Sequence, residues 1–208
     1  MLFFSPYGML VIMNECFVKA GSSRLSVIRD GGAVVRAWKI PKPVVLVDTR
    51  ERMPFPLAEN HPNWIGGEKR VKLTAGDYSI EGMKDILSLE RKSMADAIGS
   101  TMAGRARFIR SCERLAAYRW KAIIIEATYE DMKTAYTLHE DLVTEAHPNA
   151  VCGTLDAIEA KFGIPILYTS QHRPLATEKA ASWLSKHFTY WWLEQNNHSR
   201  TLIDTDGL

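Results

Sequence analysis

The chain has 208 residues, of which 46% are hydrophobic, and its formal net charge is only +2. This size predicts one buried core with short extensions, and the near-neutral charge does not by itself indicate a nucleic-acid partner. The three cysteines, Cys16, Cys112 and Cys152, are far apart and lack Cys-x-x-Cys spacing, which argues against a disulfide framework or a structural zinc site and favours a reducing, cytoplasmic location.

The first 42 residues are expected to form an N-terminal extension. Their apolar opening, MLFFSPYGMLVIM, is shorter than the roughly 20 residues of a membrane span and is broken by Pro6 and Gly8, so we expect no membrane association. Residues 24–40 predict a β-hairpin around Asp30-Gly31-Gly32, because glycine readily adopts the positive φ of a tight turn.

The next segment predicts strands and one helix. VVLVD at 44–48 is too apolar to alternate, which is typical of a strand buried on both faces. Residues 50–67 contain three prolines and no periodicity, so we expect a loop. DYSI and DILSLERK then predict two strands, and Ser93 with Asp96 three residues later predicts the capped start of a helix over 93–103.

The second half alternates helices and strands. Apolar residues at helical spacing predict an amphipathic helix over 105–118, followed by a buried strand at 121–127. Further predictions are a helix over 148–161 ended by Gly163, a strand at 164–168, a helix over 174–189 and a frayed polar tail after Asn196. This order predicts an α/β fold with a central mixed sheet flanked by helices.

Charge is unevenly distributed along this half. Between Arg105 and Lys121 there are six basic residues and one acid, whereas between Glu126 and Glu159 there are eight acids and one lysine. A basic face beside an acidic one fits polyanion binding on one side, although two solvated helix faces give the same pattern. The basic helix presents four arginines as candidate DNA contacts: Arg105, Arg107, Arg110 and Arg114.

A possible reaction centre lies at the end of the second strand of the 77–92 segment. Glu90 and Lys92 are two residues apart in a strand, so their side chains leave the same face, and Asp77 begins the neighbouring strand. Two carboxylates suit Mg²⁺, and a lysine beside them can orient or deprotonate a water. Asp48 and Glu51 are placed to add acidic groups. Taken singly, each residue also fits an ion pair, a turn or a helix cap.

Three sequence blocks occur together and in order: Val47-Asp48-Thr49-Arg50-Glu51, Gly76-Asp77, and Glu90-Arg91-Lys92 followed by Asp96. They resemble the nuclease domain of the XPF family, the excision-repair cross-complementation group 4 domain. The resemblance covers about 43–190, leaving 191–208 as a C-terminal tail. It implies a restriction-endonuclease-like PD-(D/E)XK fold carrying an N-terminal β-hairpin extension.

The resemblance also implies a function and a set of roles. The chain is expected to be an endonuclease that uses Mg²⁺, with Mn²⁺ as a substitute, to cut branched, flap or fork DNA in repair, recombination or replication. Asp77, Glu90 and Asp48, with the carbonyl of Arg91, are the expected metal ligands, Lys92 activates water, and Glu51 is a further acidic residue. The expected supporting residues are Arg50, Arg91 and Asp96, and Arg105 is expected to contact a DNA phosphate.

Other interpretations stay open. The family includes non-catalytic DNA-binding or scaffolding subunits, and a PD-(D/E)XK resolvase or restriction-type nuclease has a similar site. The chain looks most like stand-alone bacterial and phage versions, which implies the cytoplasm of a bacterial or phage-infected cell. Junction recognition is then expected from the domain itself, a homodimer or a partner protein.

Overall fold

The computed structural model describes residues 40–138 and 144–197 in full, together with five short strands in the flanking segments. The chain divides into two compact units. One contains Met1–Lys39 and Arg200–Leu208, and the other contains Ile40–Ser199. Each unit is described by itself.

The described residues of the first unit form antiparallel strands. Strands β1 (Phe3–Phe4) and β2 (Leu10–Val11) pair with each other. Strands β3 (Ser26–Asp30) and β4 (Ala33–Trp38) form the predicted hairpin pair, whose turn glycines lie outside the described residues. Strand β11 (Leu202–Asp204) pairs with the other side of β3. A frayed end was therefore the wrong expectation for this short segment, whose Leu-Ile pair is more β-prone than the polar residues around it.

The second unit is built on a six-stranded sheet. Its strands are β5 (Val44–Asp48), β6 (Gly67–Val71), β7 (Tyr78–Ile80), β8 (Leu87–Ser93), β9 (Trp120–Glu126) and β10 (Ile166–Tyr168). Their order is β10-β9-β8-β7-β5-β6. Strand β7 is antiparallel to both neighbours, and the other pairings are parallel. The predicted mixed sheet is confirmed, with the addition of the polar strand β6.

Six α-helices accompany this sheet within the described residues: α1 (Leu57–Asn60), α2 (Met94–Thr101), α3 (Arg105–Ala116), α4 (Tyr129–Lys133), α5 (Pro148–Phe162) and α6 (Arg173–Gln195). The four longer ones were predicted. Helix α6 runs beyond its predicted end because Leu193 continues its buried face. None of the helices in the described residues combines the length and apolar character that a bilayer crossing needs.

Two apolar layers enclose the sheet. Alternate residues of β9 point to opposite faces, so Ala122 and Ile124 join one cluster while Ile123 and Ile125 join the other. The first cluster packs against α6, and the second packs against α2, α3 and α5. Burial on both faces explains why β9 reads as a continuous apolar run, and it leaves the strand ends as the place for polar chemistry.

Candidate active site

Strand direction brings the predicted carboxylates to one edge of the sheet. Because β7 runs antiparallel to β5 and β8, its first residue, Tyr78, lies beside Val47 near the end of β5 and beside Leu89 in the middle of β8. The backbone N–H of Asp48 donates to the carbonyl of Asp77 (2.8 Å), and the N–H of Asp77 donates to the carbonyl of Leu89 (2.9 Å). Asp48, Asp77 and Glu90 therefore meet at the same edge, as the sequence predicted.

A glycine makes this approach possible. Gly76 has a φ of +70°, and a Cβ at this position would lie 2.2 Å from Ser88 Oγ and 3.1 Å from the carbonyl oxygen of Leu89. Only glycine fits such a backbone at such a distance. The Gly-Asp block is thus a steric requirement for placing Asp77 against β8.

Asp77 lies in a concentration of negative charge. Its Oδ2 accepts a hydrogen bond from the backbone N–H of Arg91 (2.7 Å). Burial, followed by the negative charges of Glu90 and Glu51, raises the pKa of Asp77 to about 7, and Arg91 N–H and Lys92 offset this only in part. Burial and the two acidic neighbours therefore make ionisation of Asp77 unfavourable in the absence of a further cation.

Lys92 is fixed beside Glu90. Only 8% of its side chain is exposed, and its Nζ lies 3.2 Å from Glu90 Oε1 and 4.0 Å from Asp96 Oδ2. The ammonium also lies 4.8 Å from the centre of the Phe108 ring. The strand periodicity correctly placed Glu90 and Lys92 together. Asp96 itself is exposed, and its backbone N–H donates to Ser93 Oγ (3.2 Å), which confirms the predicted helix cap.

The carboxylate of Asp48 is engaged by other groups. It accepts hydrogen bonds from Arg50 Nε (2.8 Å) and Nη2 (3.0 Å) and from the backbone N–H groups of Arg50 and Leu73 (both 2.7 Å). Burial acts to raise the pKa of Asp48, but these bonds outweigh it and hold the pKa at about 2. This geometry favours a supporting role for Asp48, and its place as a metal ligand stays a prediction.

Arg91 leaves β8 on the face opposite to Lys92 and joins two acids. Its guanidinium lies 3.4 Å from Glu51 and forms a close ion pair with Glu126. It also lies 5.1 Å from the centre of the Phe55 ring. Glu51 Oε1 also accepts a hydrogen bond from the backbone N–H of Met53 (2.7 Å). Arg91 thus ties the loop after β5 to the end of β9.

Three residues of this network were not among the predicted site residues: Glu126, Arg173 and Phe55. Arg173, the first residue of α6, lies 3.2 Å from Glu126 Oε2, and its Nη2 donates to the carbonyls of Met53 (2.5 Å) and Pro54 (3.0 Å). It stacks on the same Phe55 ring at 5.0 Å. Glu126 at the end of an apolar strand is a detectable signal, whereas nothing local marks Arg173.

The arginines of α3 lie where the helical pattern predicted. All four are exposed, while Phe108, Cys112 and Leu115 on the opposite face are buried. Arg105 donates from Nη1 to Thr154 Oγ1 of α5 (2.7 Å). Since Phe108 contacts Lys92, this basic helix begins next to the carboxylate pair. DNA contact by these arginines stays a prediction.

A metal ion at this site would take its side-chain ligands from a small set of residues. Across residues 40–138 and 144–197, no group of three or more His, Cys, Asp or Glu side chains is arranged to hold an ion. Asp77 and Glu90 are then the candidate side-chain ligands, and backbone, water or phosphate oxygens must complete the shell. Mg²⁺ accepts such a shell because it commonly keeps several waters.

Comparison with known proteins identifies the family. The ERCC4 domain family matches residues 47–177, which include the three sequence blocks. No curated protein matches the chain. Two solved structures of XPF from Aeropyrum pernix are similar. The one in complex with DNA has a TM-score of 0.54 and 24% identity over 71% of this chain and 66% of that chain, just under two thirds. The other has a TM-score of 0.51 and 20% identity over 74% and 73%.

The structural likeness confirms the restriction-endonuclease-like fold that the sequence blocks implied. The match to the ERCC4 domain extends over more than half of the chain. The chain therefore belongs to the ERCC4 domain family and carries an XPF-type nuclease domain.

Proposed function

We propose that this chain is a metal-dependent DNA endonuclease that cuts branched, flap or fork DNA with Asp77, Glu90 and Lys92. One observation carries the proposal. Two carboxylates come together where β7 begins beside β8, and a buried lysine lies 3.2 Å from one of them, inside the blocks of a nuclease family. A purely structural ion pair does not require the second carboxylate or the positive-φ turn at Gly76 that places it.

The donor set fits Mg²⁺, with Mn²⁺ as a substitute. Carboxylate and carbonyl oxygens are the hard ligands that these ions take in proteins. Asp77, Glu90 and the carbonyl of Arg91 would hold the ion, whose positive charge would offset the burial and the repulsion from Glu90 that raise the pKa of Asp77. When bound, the ion supplies a Lewis acid for the phosphoryl oxygen and lowers the pKa of a water.

The surrounding residues orient these groups. Arg91 N–H holds Asp77 Oδ2, and Lys92 holds Glu90 Oε1, so neither carboxylate must reorganise during the reaction. Lys92 is nearly excluded from solvent against Phe108, which strengthens its attraction for charge that develops on the phosphate. In this mechanism Lys92 orients or deprotonates the attacking water and offsets that charge.

DNA is the substrate that the surface favours. Helix α3 contacts Lys92 through Phe108 and exposes four arginines to solvent, where they are available to phosphate groups. The solved structure of XPF from Aeropyrum pernix in complex with DNA supports DNA as the ligand of this fold. Phosphate contacts of this kind select DNA by shape rather than by sequence, which suits a nuclease of branched DNA.

Cleavage of labelled flap, fork and linear duplexes in magnesium tests the proposal. The wild type is compared with Glu90→Gln and with Glu159→Gln, a control that neutralises an exposed carboxylate on α5. We expect the wild type and the control to cut branched substrates in preference to linear duplex, and Glu90→Gln to be slower by roughly a thousandfold.

Three results contradict the proposal in whole or in part. Cleavage that survives Glu90→Gln would place the chemistry elsewhere. Binding of forks by the wild type without cleavage of any substrate would instead support a non-catalytic DNA-binding subunit. Equal cutting of linear and branched DNA would keep the nuclease chemistry but remove the preference for branches.

A further inference from the structure

Strand β6 forms one edge of the six-stranded sheet. Among the described strands it pairs only with β5, in a parallel register that sets Val71 opposite Asp48. The backbone N–H of Thr49 donates to the carbonyl of Val71 (3.2 Å). The end of β6 therefore lies beside the loop that follows β5 and carries Glu51.

Three exposed cations gather at this corner: Arg52, Arg70 and Lys72. Arg70 Nη2 donates to the backbone carbonyl of Glu51 (2.7 Å) and lies 3.4 Å from that of Thr49. Its guanidinium is thus held on the loop of the active site. No acidic side chain in the fully described ranges forms an ion pair with any of the three cations.

Protection of the sheet edge explains only part of this arrangement. Charged residues on an edge strand discourage pairing with other chains, and Lys69 meets that need while forming an ion pair with Glu81 (2.6 Å). Arg52, however, lies in the loop and not in the strand. Arg70 lies in β6 and Lys72 directly follows the strand, so their side chains leave the same face. Both lie level with the active-site loop, and protection of the sheet edge does not explain that position.

The corner lies on the opposite side of the carboxylate pair from α3. Three strand spacings separate β6 from β8, which at about 4.8 Å each amounts to about 14 Å, or about four nucleotides along one strand of DNA. Helix α3 packs with β9 and touches Lys92 through Phe108, on the far side of Glu90. Asp77 and Glu90 therefore lie between two cationic surfaces.

We propose that Arg52, Arg70 and Lys72 bind the phosphate backbone of a second arm of a branched DNA while the arginines of α3 bind the first. This inference rests on the proposed nuclease function and deepens it, because it assigns the preference for branches to the domain itself. A linear duplex bound along α3 leaves the β6 corner unused. A fork or flap, whose arms diverge near the scissile phosphate, contacts both surfaces.

Binding measurements without divalent metal, so that nothing is cut, test this surface. Fluorescence anisotropy with a fork and a linear duplex compares the wild type with Arg52→Ala/Lys72→Ala, a double variant that leaves Arg70 on its carbonyls. A matched control, Lys84→Ala/Lys179→Ala, removes the same charge from exposed positions away from this corner.

We expect the double variant to bind the fork about tenfold more weakly and to reduce the salt slope by about 2, since each phosphate contact contributes about 0.9 to that slope. Its affinity for the linear duplex should stay within about twofold of the wild type, as should both affinities of the control. An equal loss on fork and linear duplex, or no loss on the fork, overturns the inference.

The same preparations separate this inference from the proposed function. A wild type that neither binds nor cuts any DNA removes both. A wild type that cuts forks, with a double variant that binds forks as the wild type does, overturns only the role of the β6 corner.

Discussion

Replacing Asp77 by asparagine should stabilise the metal-free protein while it removes the proposed activity. The folded chain surrounds this carboxyl with Glu90 and Glu51, and burial and these charges raise its pKa to about 7. Ionised Asp77 therefore destabilises the fold unless a metal cation is bound beside it. Asparagine keeps an oxygen that can accept the hydrogen bond from Arg91 N–H, which now goes to Asp77 Oδ2, so the variant loses the charge and little else.

The magnitude follows from linkage. The ordinary pKa of this carboxyl is 3.8, and a tenfold change in proton affinity is worth about 1.36 kcal/mol, so ionisation of Asp77 at pH 8 costs the fold at most about 4 kcal/mol. Asparagine avoids this cost, but burial of its amide group is itself unfavourable and cancels part of the stabilisation. We expect Asp77→Asn to be more stable by about 2 kcal/mol, which is about 4–8 °C for a chain of this size.

The sign of the pH dependence provides a second check. A raised folded pKa means that the stability from protonated Asp77 is present at low pH and is lost as the pH rises from 3.8 through about 7. The advantage of Asp77→Asn should thus be large at pH 8 and small near pH 4. Magnesium should raise the melting temperature of the wild type more than that of the variant.

Thermal unfolding in EDTA and in magnesium, at pH 4 to 8, measures these effects. Asp156→Asn, which neutralises an exposed aspartate on α5, serves as the control and should change stability by less than about 0.5 kcal/mol. Two results would refute the account of the electrostatics of Asp77. One is that Asp77→Asn is no more stable than the wild type at pH 8 in EDTA, and the other is that its added stability is as large at pH 4 as at pH 8.

The turn and the ion-pair network give two further predictions, both measured by urea unfolding. Gly76→Ala should lower the free energy of unfolding by about 2–4 kcal/mol, because Gly76 has a φ of +70° and its Cβ would lie 2.2 Å from Ser88 Oγ. Gly67→Ala, which has open space around its Cβ, should lower it by less than about 1 kcal/mol. Similar losses for the two variants would contradict the steric argument. Arg173→Met should lose about 1–3 kcal/mol, and Arg173→Lys should recover part of it, because Glu126 and two backbone carbonyls depend on this guanidinium. The exposed pair of Arg119 with Glu194 supplies the control, since Arg119→Ala should lower the free energy of unfolding by less than about 1 kcal/mol. A loss as large as that of Arg173→Met would contradict the importance of the ion-pair network.

The sequence predicted the parts of the fold that local patterns encode. Strands β5 and β9 are buried on both faces, and each appears as a continuous apolar run. Strand β6 was not predicted because most of its residues, GEKRV, are polar, and it is the pairing with β5 that holds them in an extended conformation. The helices α1 and α4, of four and five residues, are too short to show a periodic pattern.

The site divides in the same way. Glu90 and Lys92 followed from strand periodicity, and Asp77 followed from its place at the start of the neighbouring hairpin strand. No local pattern predicted the hydrogen bond of Asp48 with Leu73 or the ion pair of Glu126 with Arg173, because the partners are 25 and 47 residues apart in the sequence. Such pairs depend on the way the loops and α6 pack, which no local pattern records.

Single-turnover cleavage of a labelled fork across a magnesium titration tests the central claim most directly. The wild type should show no cleavage in EDTA and a rate that saturates with magnesium, and Glu90→Gln should remain slower by roughly a thousandfold at every concentration. Cleavage in EDTA, or a Glu90→Gln rate equal to that of the wild type, would contradict a metal-dependent reaction at Asp77, Glu90 and Lys92.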